Sequence, residues 1–281
     1  MADTFDTPDP ILATVSAGTG LLRINASDRA DTVVTIRPAD EFDDADLKAA
    51  QQTTVEYAGG RLLVKAPRSR GLSLFSRTGS VDVTIDLPAG SRVEATTAAE
   101  IRARGRLGES TLSTASGDIT LEETGKARLS TADGDISLTG STGHIDVTTA
   151  NGAISVRRID GTAVIKTSSG DIRLGEVTGE LRLNTAYGDI TVDRALARVH
   201  ARTATGNIHV EESVRGSLDL ETGHGHLEVG VREGTAAWLD VSTSHGTVRN
   251  LMTAAAGPAE SEETVEVRAR TYHGDVVIRR A

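Results

Sequence analysis

The 281-residue chain has no cysteine. That absence removes disulfides, thiolate nucleophiles and cysteine-ligated zinc together, and it fits a reducing compartment. Aromatic residues are nearly as scarce: Phe5, Phe42, Phe75, Tyr57, Tyr187, Tyr272 and Trp238 are the full set. Single-stranded nucleic acid is usually bound on rows of aromatic side chains, and sugar sites usually offer an aromatic face. Neither platform can be assembled here in the ordinary way. Lysine is confined to Lys48, Lys65, Lys126 and Lys166, and the formal net charge of −10 argues against nucleic acid as a partner. No apolar run approaches the roughly 18 residues of a membrane span, so stable membrane insertion is not expected. The opening MADTFDTPDP lacks both the basic and the apolar segment of a secretory signal, which makes a cytoplasmic location the expectation. There is no Gly-Lys-Ser/Thr phosphate loop, no Gly-x-Ser-x-Gly elbow and no His-Glu-x-x-His helix. No catalytic residue and no cofactor is therefore assigned.

What the chain does have is a repeat. Thr-x-x-Gly recurs with its glycine at positions 117, 134, 152, 170, 188, 206, 225, 246 and 274, so the spacings run 17, 18, 18, 18, 18, 19, 21 and 28. The second and fourth residues after each glycine are apolar, as in Ile154/Val156, Ile172/Leu174 and Ile190/Val192. This is the alternation of a strand with one buried face. The copy after Gly246 breaks it, because Asn250 stands where an aliphatic belongs. A second turn near Gly125, Gly143, Gly161, Gly179 and Gly216 precedes another alternating strand, so each period holds two strands. One such coil cannot bury its own apolar face, so coils must stack. The fold expected is all-β: a parallel β-solenoid with coils of about 18 residues. Stacking would put Ile154, Ile172 and Ile190 in one inward column, and would let the fixed threonine hydrogen-bond near the turn.

Residues 1–110 carry strand-like runs without the period and read as irregular N-terminal coils or a cap, continuous with the solenoid; Asp43–Gln52 reads as a short helix with acidic residues in its first turn. Residues 111–281 read as the regular repeats, with an insertion near 253–263. The loop Arg68–Arg77 carries three arginines and exposed apolar residues, and is weighed as a plain loop against a contact with an acidic surface or partner.

The Gly-Asp-Ile-x-Leu strands, the segment VDVTIDLPAGSRV (residues 81–93) and the closing VEVRARTYHGDVVIRR (residues 265–280) resemble a bacterial family of β-strand-repeat proteins named "putative adhesin", a domain of unknown function. The resemblance covers nearly the whole chain. It implies a repetitive β fold, and the family's name implies attachment at a cell surface. It brings no catalytic residues with it.

Two columns invite a functional reading. The residue after the turn glycine is acidic at Asp118, Asp135, Asp171, Asp189 and Asp275, with Asn207 among them. Stacked acids serve carbohydrate-active enzymes built on parallel β-helices, but an aspartate at a turn also accepts backbone N–H bonds. The residue before the turn glycine is histidine in the last three copies, His224, His245 and His273. A shared edge would give a candidate metal site for Zn²⁺ or Ni²⁺, with solvated turn residues as the plainer reading. His226 and His209 are candidates to lie near that edge, His144 and His200 read as surface residues without a partner, and Trp238 as core or end cap. The function expected is a non-enzymatic interaction or assembly scaffold. It would engage a protein partner, or itself, through the solenoid ends or faces. The alternatives are a carbohydrate-active enzyme using the aspartates and a metal-binding module using the histidines.

Overall fold

The computed structural model describes residues 2–67, 79–252 and 263–281. The Arg68–Arg77 loop, and the 253–263 insertion except for Glu263, lie outside them. Almost every element is a strand, and each repeat contributes one strand to each of two parallel sheets. The threonines and glycines of the repeat explain how the coils close. At Gly170 and Gly188 the backbone has φ of +143° and +146°, and an added Cβ would overlap the carbonyl of the equivalent glycine one coil earlier. Only glycine meets both demands. The threonine hydroxyl three residues before each of these glycines donates to that same carbonyl: Thr167 to Gly152 at 3.4 Å and Thr185 to Gly170 at 3.3 Å.

The chain divides into two compact units, Met1–Leu138 and Thr139–Ala281. In the first, Leu21–Ser27 pairs in parallel with both Val81–Pro88 and Glu100–Arg106. Leu12–Ser16 pairs likewise with both Arg61–Lys65 and Arg92–Thr97. The coil of residues 12–27 is thus sandwiched between the two coils that follow it in sequence. Beyond residues 61–88 the pairing turns antiparallel. Asp31–Pro38 lies on Val81–Pro88, Ala2–Asp6 lies on Asp31–Pro38, and Thr54–Ala58 lies on Arg61–Lys65. Phe5 and Tyr57, on two of these edge strands, meet with ring centroids 5.3 Å apart. The helix α1 spans Asp44–Gln52, as the sequence indicates, and Asp43 caps it by accepting from the Ala45 and Asp46 amides.

In the second unit the coils are regular and every described strand pair is parallel. Ile154 stands opposite Ile172, and Ile172 opposite Ile190, all fully buried. This is the expected column, with rungs about 4.8 Å apart. Each such side chain contributes about 1.5–3 kcal/mol by leaving water, and the column continues through Ile208, Leu227 and Val276.

Sequence order and spatial order part company after residue 231. The strand Thr264–His273 lies between Gly216–His224 and Ala236–His245. Val276–Arg280 lies between Leu227–Val231 and Val248–Asn250. The coil of residues 264–280 has therefore slipped between its two predecessors, and the coil of residues 236–250 is outermost. The threonine bonds record the same order, since Thr271 donates to Gly225 at 3.0 Å and Thr243 to Gly274 at 2.8 Å. The spacing of 28 before Gly274 is thus a return path, one coil back, and more than a stretched turn.

Candidate interaction surface at the outermost coil

The column before the turn glycine brings the three histidines together, in the spatial order His224, His273, His245. The rings are nearly parallel, with centroids 4.9 Å apart for His224 and His273 and 4.5 Å for His245 and His273. Tyr272 packs edge-on against both His245 and His273. Desolvation between its neighbours, then the positive charges of His245 and His224, push the His273 pKa below the ordinary imidazole value. Imidazole nitrogens coordinate through lone pairs lying in the ring plane, so parallel stacked rings aim these side by side. Among the described residues no group of three His, Asp or Glu side chains converges on a metal-ion position.

The aspartate column is occupied with backbone. Asp118 accepts from the Asp135 amide at 2.8 Å, Asp171 from Asp189 at 3.0 Å and Asp189 from Asn207 at 2.7 Å. Asn207 accepts from His226 at 2.8 Å, His226 Nδ1 from Asp275 at 2.9 Å, and Asp275 from Thr247 at 2.8 Å. Each side chain thus satisfies the amide of its counterpart in the next coil. His226 belongs to this ladder. His144 and His200, expected to be without partners, have them in Thr162 at 2.7 Å and Asp219 at 3.0 Å.

Sequence reasoning missed a second cluster. Arg279 reaches Glu228 at 2.7 Å and both oxygens of Glu211 at 3.0 Å, while His209 donates to Glu211 at 2.6 Å. Hydrogen bonds from His209 and then Arg279 hold the Glu211 carboxyl below the ordinary range. The cluster ties the returned coil across two neighbours. Nothing in a linear reading signals it, because Arg279 and Glu211 are 68 residues apart and meet only through the return. On the other sheet a shallow groove runs past Lys166, Arg182, His200, Asp219 and Arg268. Its charges are of both signs: Arg182 pairs with Glu180 at 3.2 Å, His200 with Asp219 at 3.0 Å and Arg268 with Glu266 at 2.5 Å, while Lys166 and Arg198 also line it and Arg198 donates to Ser217 at 3.1 Å. It offers no single-sign bed for a charged ligand.

The outermost coil differs from all of these. Its inward residues Ala237, Leu239 and Val241 are only partly covered, whereas their partners Val265, Val267 and Ala269 are buried. Val248 is 40% exposed, Leu251 66% and Trp238 57%. Trp238 thus lies outside the core and fits the end-cap alternative: it sits on the outer face of the outermost coil, opposite Glu266, on a strand that among the described residues is paired on one side only. Asn250 now has its reason. It occupies an inward position, opposite Ile278, at a level where inward means solvent, and its side chain accepts from the Met252 amide at 3.0 Å. The one degraded copy of the repeat marked the outermost coil.

A family model described as Toastrack DUF4097 matches residues 21–279. The chain belongs to this family. The toastrack match spans both units, so the irregular coils before residue 111 share it with the regular ones. Among curated proteins none matches. Solved structures resembling this toastrack chain include a "putative lipid binding protein" from Parabacteroides distasonis, with 14% identity over 100% of this chain and 96% of that one, at a TM-score of 0.46. A "putative adhesin" from Bacteroides fragilis is 12% identical over 100% and 97%, at 0.38. Another from Parabacteroides merdae is 11% identical over 99% and 95%, at 0.37. At these scores nothing about function passes to the toastrack chain. Among the described residues no helix is long and apolar enough to cross a membrane.

Proposed function

We propose that the protein is a non-enzymatic scaffold that engages a protein partner through its outermost coil. The observation that carries this reading is the strand Ala236–His245, which among the described residues has a ladder neighbour on one side only, with Trp238, Val248 and Leu251 exposed around it. A sheet edge with unpaired N–H and C=O groups is a template for another strand, and an aromatic anchor beside apolar residues is the usual centre of a protein interface. The aspartates support the same reading, since their oxygens are engaged with backbone amides of the next coil. The test has two arms. A protein retained by the purified wild-type chain from extracts of its own cells should be lost with Trp238→Lys while lateral-face changes such as Arg182→Ala leave it bound. Equal retention by both variants would move the docking surface elsewhere. A carbohydrate-degrading activity in the purified chain, abolished by Asp171→Asn, would replace the scaffold with an enzyme.

A further inference from the structure

We infer that the partner of the outermost coil is a second copy of the same coil, joined edge to edge in antiparallel register about Leu239. This inference rests on the reading of that coil as the docking surface and adds the identity of the occupant.

Three observations on the strand carry it. The first is its lack of edge protection among the described residues. Exposed edges are normally blunted by lysine, proline, bulges or short length. Ala236–His245 is ten residues long and contains no lysine, arginine or proline; its one carboxylate, Asp240, is paired with Arg270 at 3.2 Å. It keeps one constant offset against its neighbour from Ala236 opposite Thr264 to His245 opposite His273. The edges of the first unit are handled differently: Ala2–Asp6 and Thr54–Ala58 are five residues each, and carry Asp3, Asp6 and Glu56.

The second observation is charge. Two copies of a chain with net charge −10 repel each other over most of their surface. Within residues 236–250 the only Asp, Glu, Lys or Arg side chains are Asp240 and Arg249, which cancel. The outermost coil is a place where identical chains can approach without that penalty.

The third is self-complementarity. A two-fold contact must place a patch against itself. In antiparallel strands directly opposed residues share a face, so the inward set Ala237, Leu239, Val241 must meet itself. Centring the pair on Leu239 sets Leu239 against Leu239 and Ala237 against Val241. On the outer face it sets Trp238 against Asp240, twice over. Centring on Asp240 would oppose like charges, which is destabilising. Centring on Val241 would oppose Leu239 to Thr243 and Ala237 to His245, breaking the apolar match. The Leu239 register is favoured over both of these, and it places Trp238 of each copy close to the axis.

The absence of cysteine makes the test clean. Sedimentation of the wild-type chain should give twice the chain mass at micromolar concentration, with dissociation by Trp238→Lys. Leu239→Cys introduces a lone thiol. Opposed residues in an antiparallel pair have Cα atoms about 4.5–5.5 Å apart, within the roughly 4.4–6.8 Å a disulfide accepts. Mild oxidation should convert most of this variant into a covalent dimer, while Ser155→Cys, on an exposed lateral position, remains single. A strictly monomeric wild-type chain would overturn the second-copy inference and leave the scaffold reading to its own test. A dimer in which Leu239→Cys and Ser155→Cys cross-link equally would overturn the register and the surface together.

Discussion

Replacing Ile172 by alanine tests the stacked column most directly. Ile172 is fully buried, with Ile154 on one side of it in the ladder and Ile190 on the other. The change removes three carbons, worth about 2.4 kcal/mol at about 0.8 kcal/mol per buried methylene. A cavity cost is added when the surroundings cannot close in, and Leu/Ile→Ala changes in cores span about 2–5 kcal/mol. Here the neighbours cannot close in along the column. Their rungs are fixed about 4.8 Å apart by parallel hydrogen bonds, whose register is unbroken from Ile154 to Ile190. The expected loss is therefore in the upper part of that range, about 3–5 kcal/mol. Ile172→Val, which leaves most of the column filled, should cost about 0.5–1.5 kcal/mol. Urea unfolding followed by far-UV circular dichroism reads the loss as a lower midpoint at unchanged slope. Trp238, the only tryptophan, reports by fluorescence whether the outermost coil leaves with the rest. A loss below about 1 kcal/mol for Ile172→Ala, at the wild-type slope, would refute the rigid column.

Two further outcomes follow from the side-chain columns. Asp189→Asn keeps an oxygen for the Asn207 amide and should leave stability within about 0.5 kcal/mol of wild type, whereas Asp189→Ala should cost about 0.5–1.5 kcal/mol in urea; equal losses would remove the acceptor role. The depressed pKa of His273 means that the unfolded chain takes up a proton there before the folded chain does. Stability from this group is complete above about pH 6.5, the unfolded value, and falls as pH drops through it toward the lower folded value. The melting temperature should therefore fall between pH 8 and pH 5.5, and His273→Gln should flatten that fall; an identical slope in the variant would show that the stack does not titrate as a unit.

The parts of this molecule that were legible in the sequence are those set by local repetition. A period near 18, glycines at fixed places and alternation after each one specify the coil, the inward columns and the shared edge of the three histidines. Each needs only the preceding coil as reference. The return of residues 264–280 was not legible in that way, because a longer spacing before Gly274 is equally a bulge or a path back. The clue was Asn250, a polar residue in an apolar column, which makes sense only where the column opens to solvent. The Arg279, Glu211, Glu228 and His209 cluster was hidden for the same reason, since it exists only once the return is known. For Trp238 core and end cap both stayed open, because alternation shows which residues share a face and not which face lies inward on an outermost strand.

The position of residues 264–280 also sets an order of assembly. Among the described residues, the strands Ala236–His245 and Val248–Asn250 have as their ladder neighbours only Thr264–His273 and Val276–Arg280. A chain emerging from its first residue onward presents the outermost coil before the coil that holds it has been made. Until then, residues 236–250 either wait unpaired or sit temporarily on residues 216–231, in a place they must give up. The final coil acts as a wedge driven home late, and closing a pairing between residue 216 and residue 265 across so long a loop is a slow step of the kind that limits folding. A nascent chain paused before residue 264 would have made most of the solenoid and still show its stickiest strand to every neighbour on the same message.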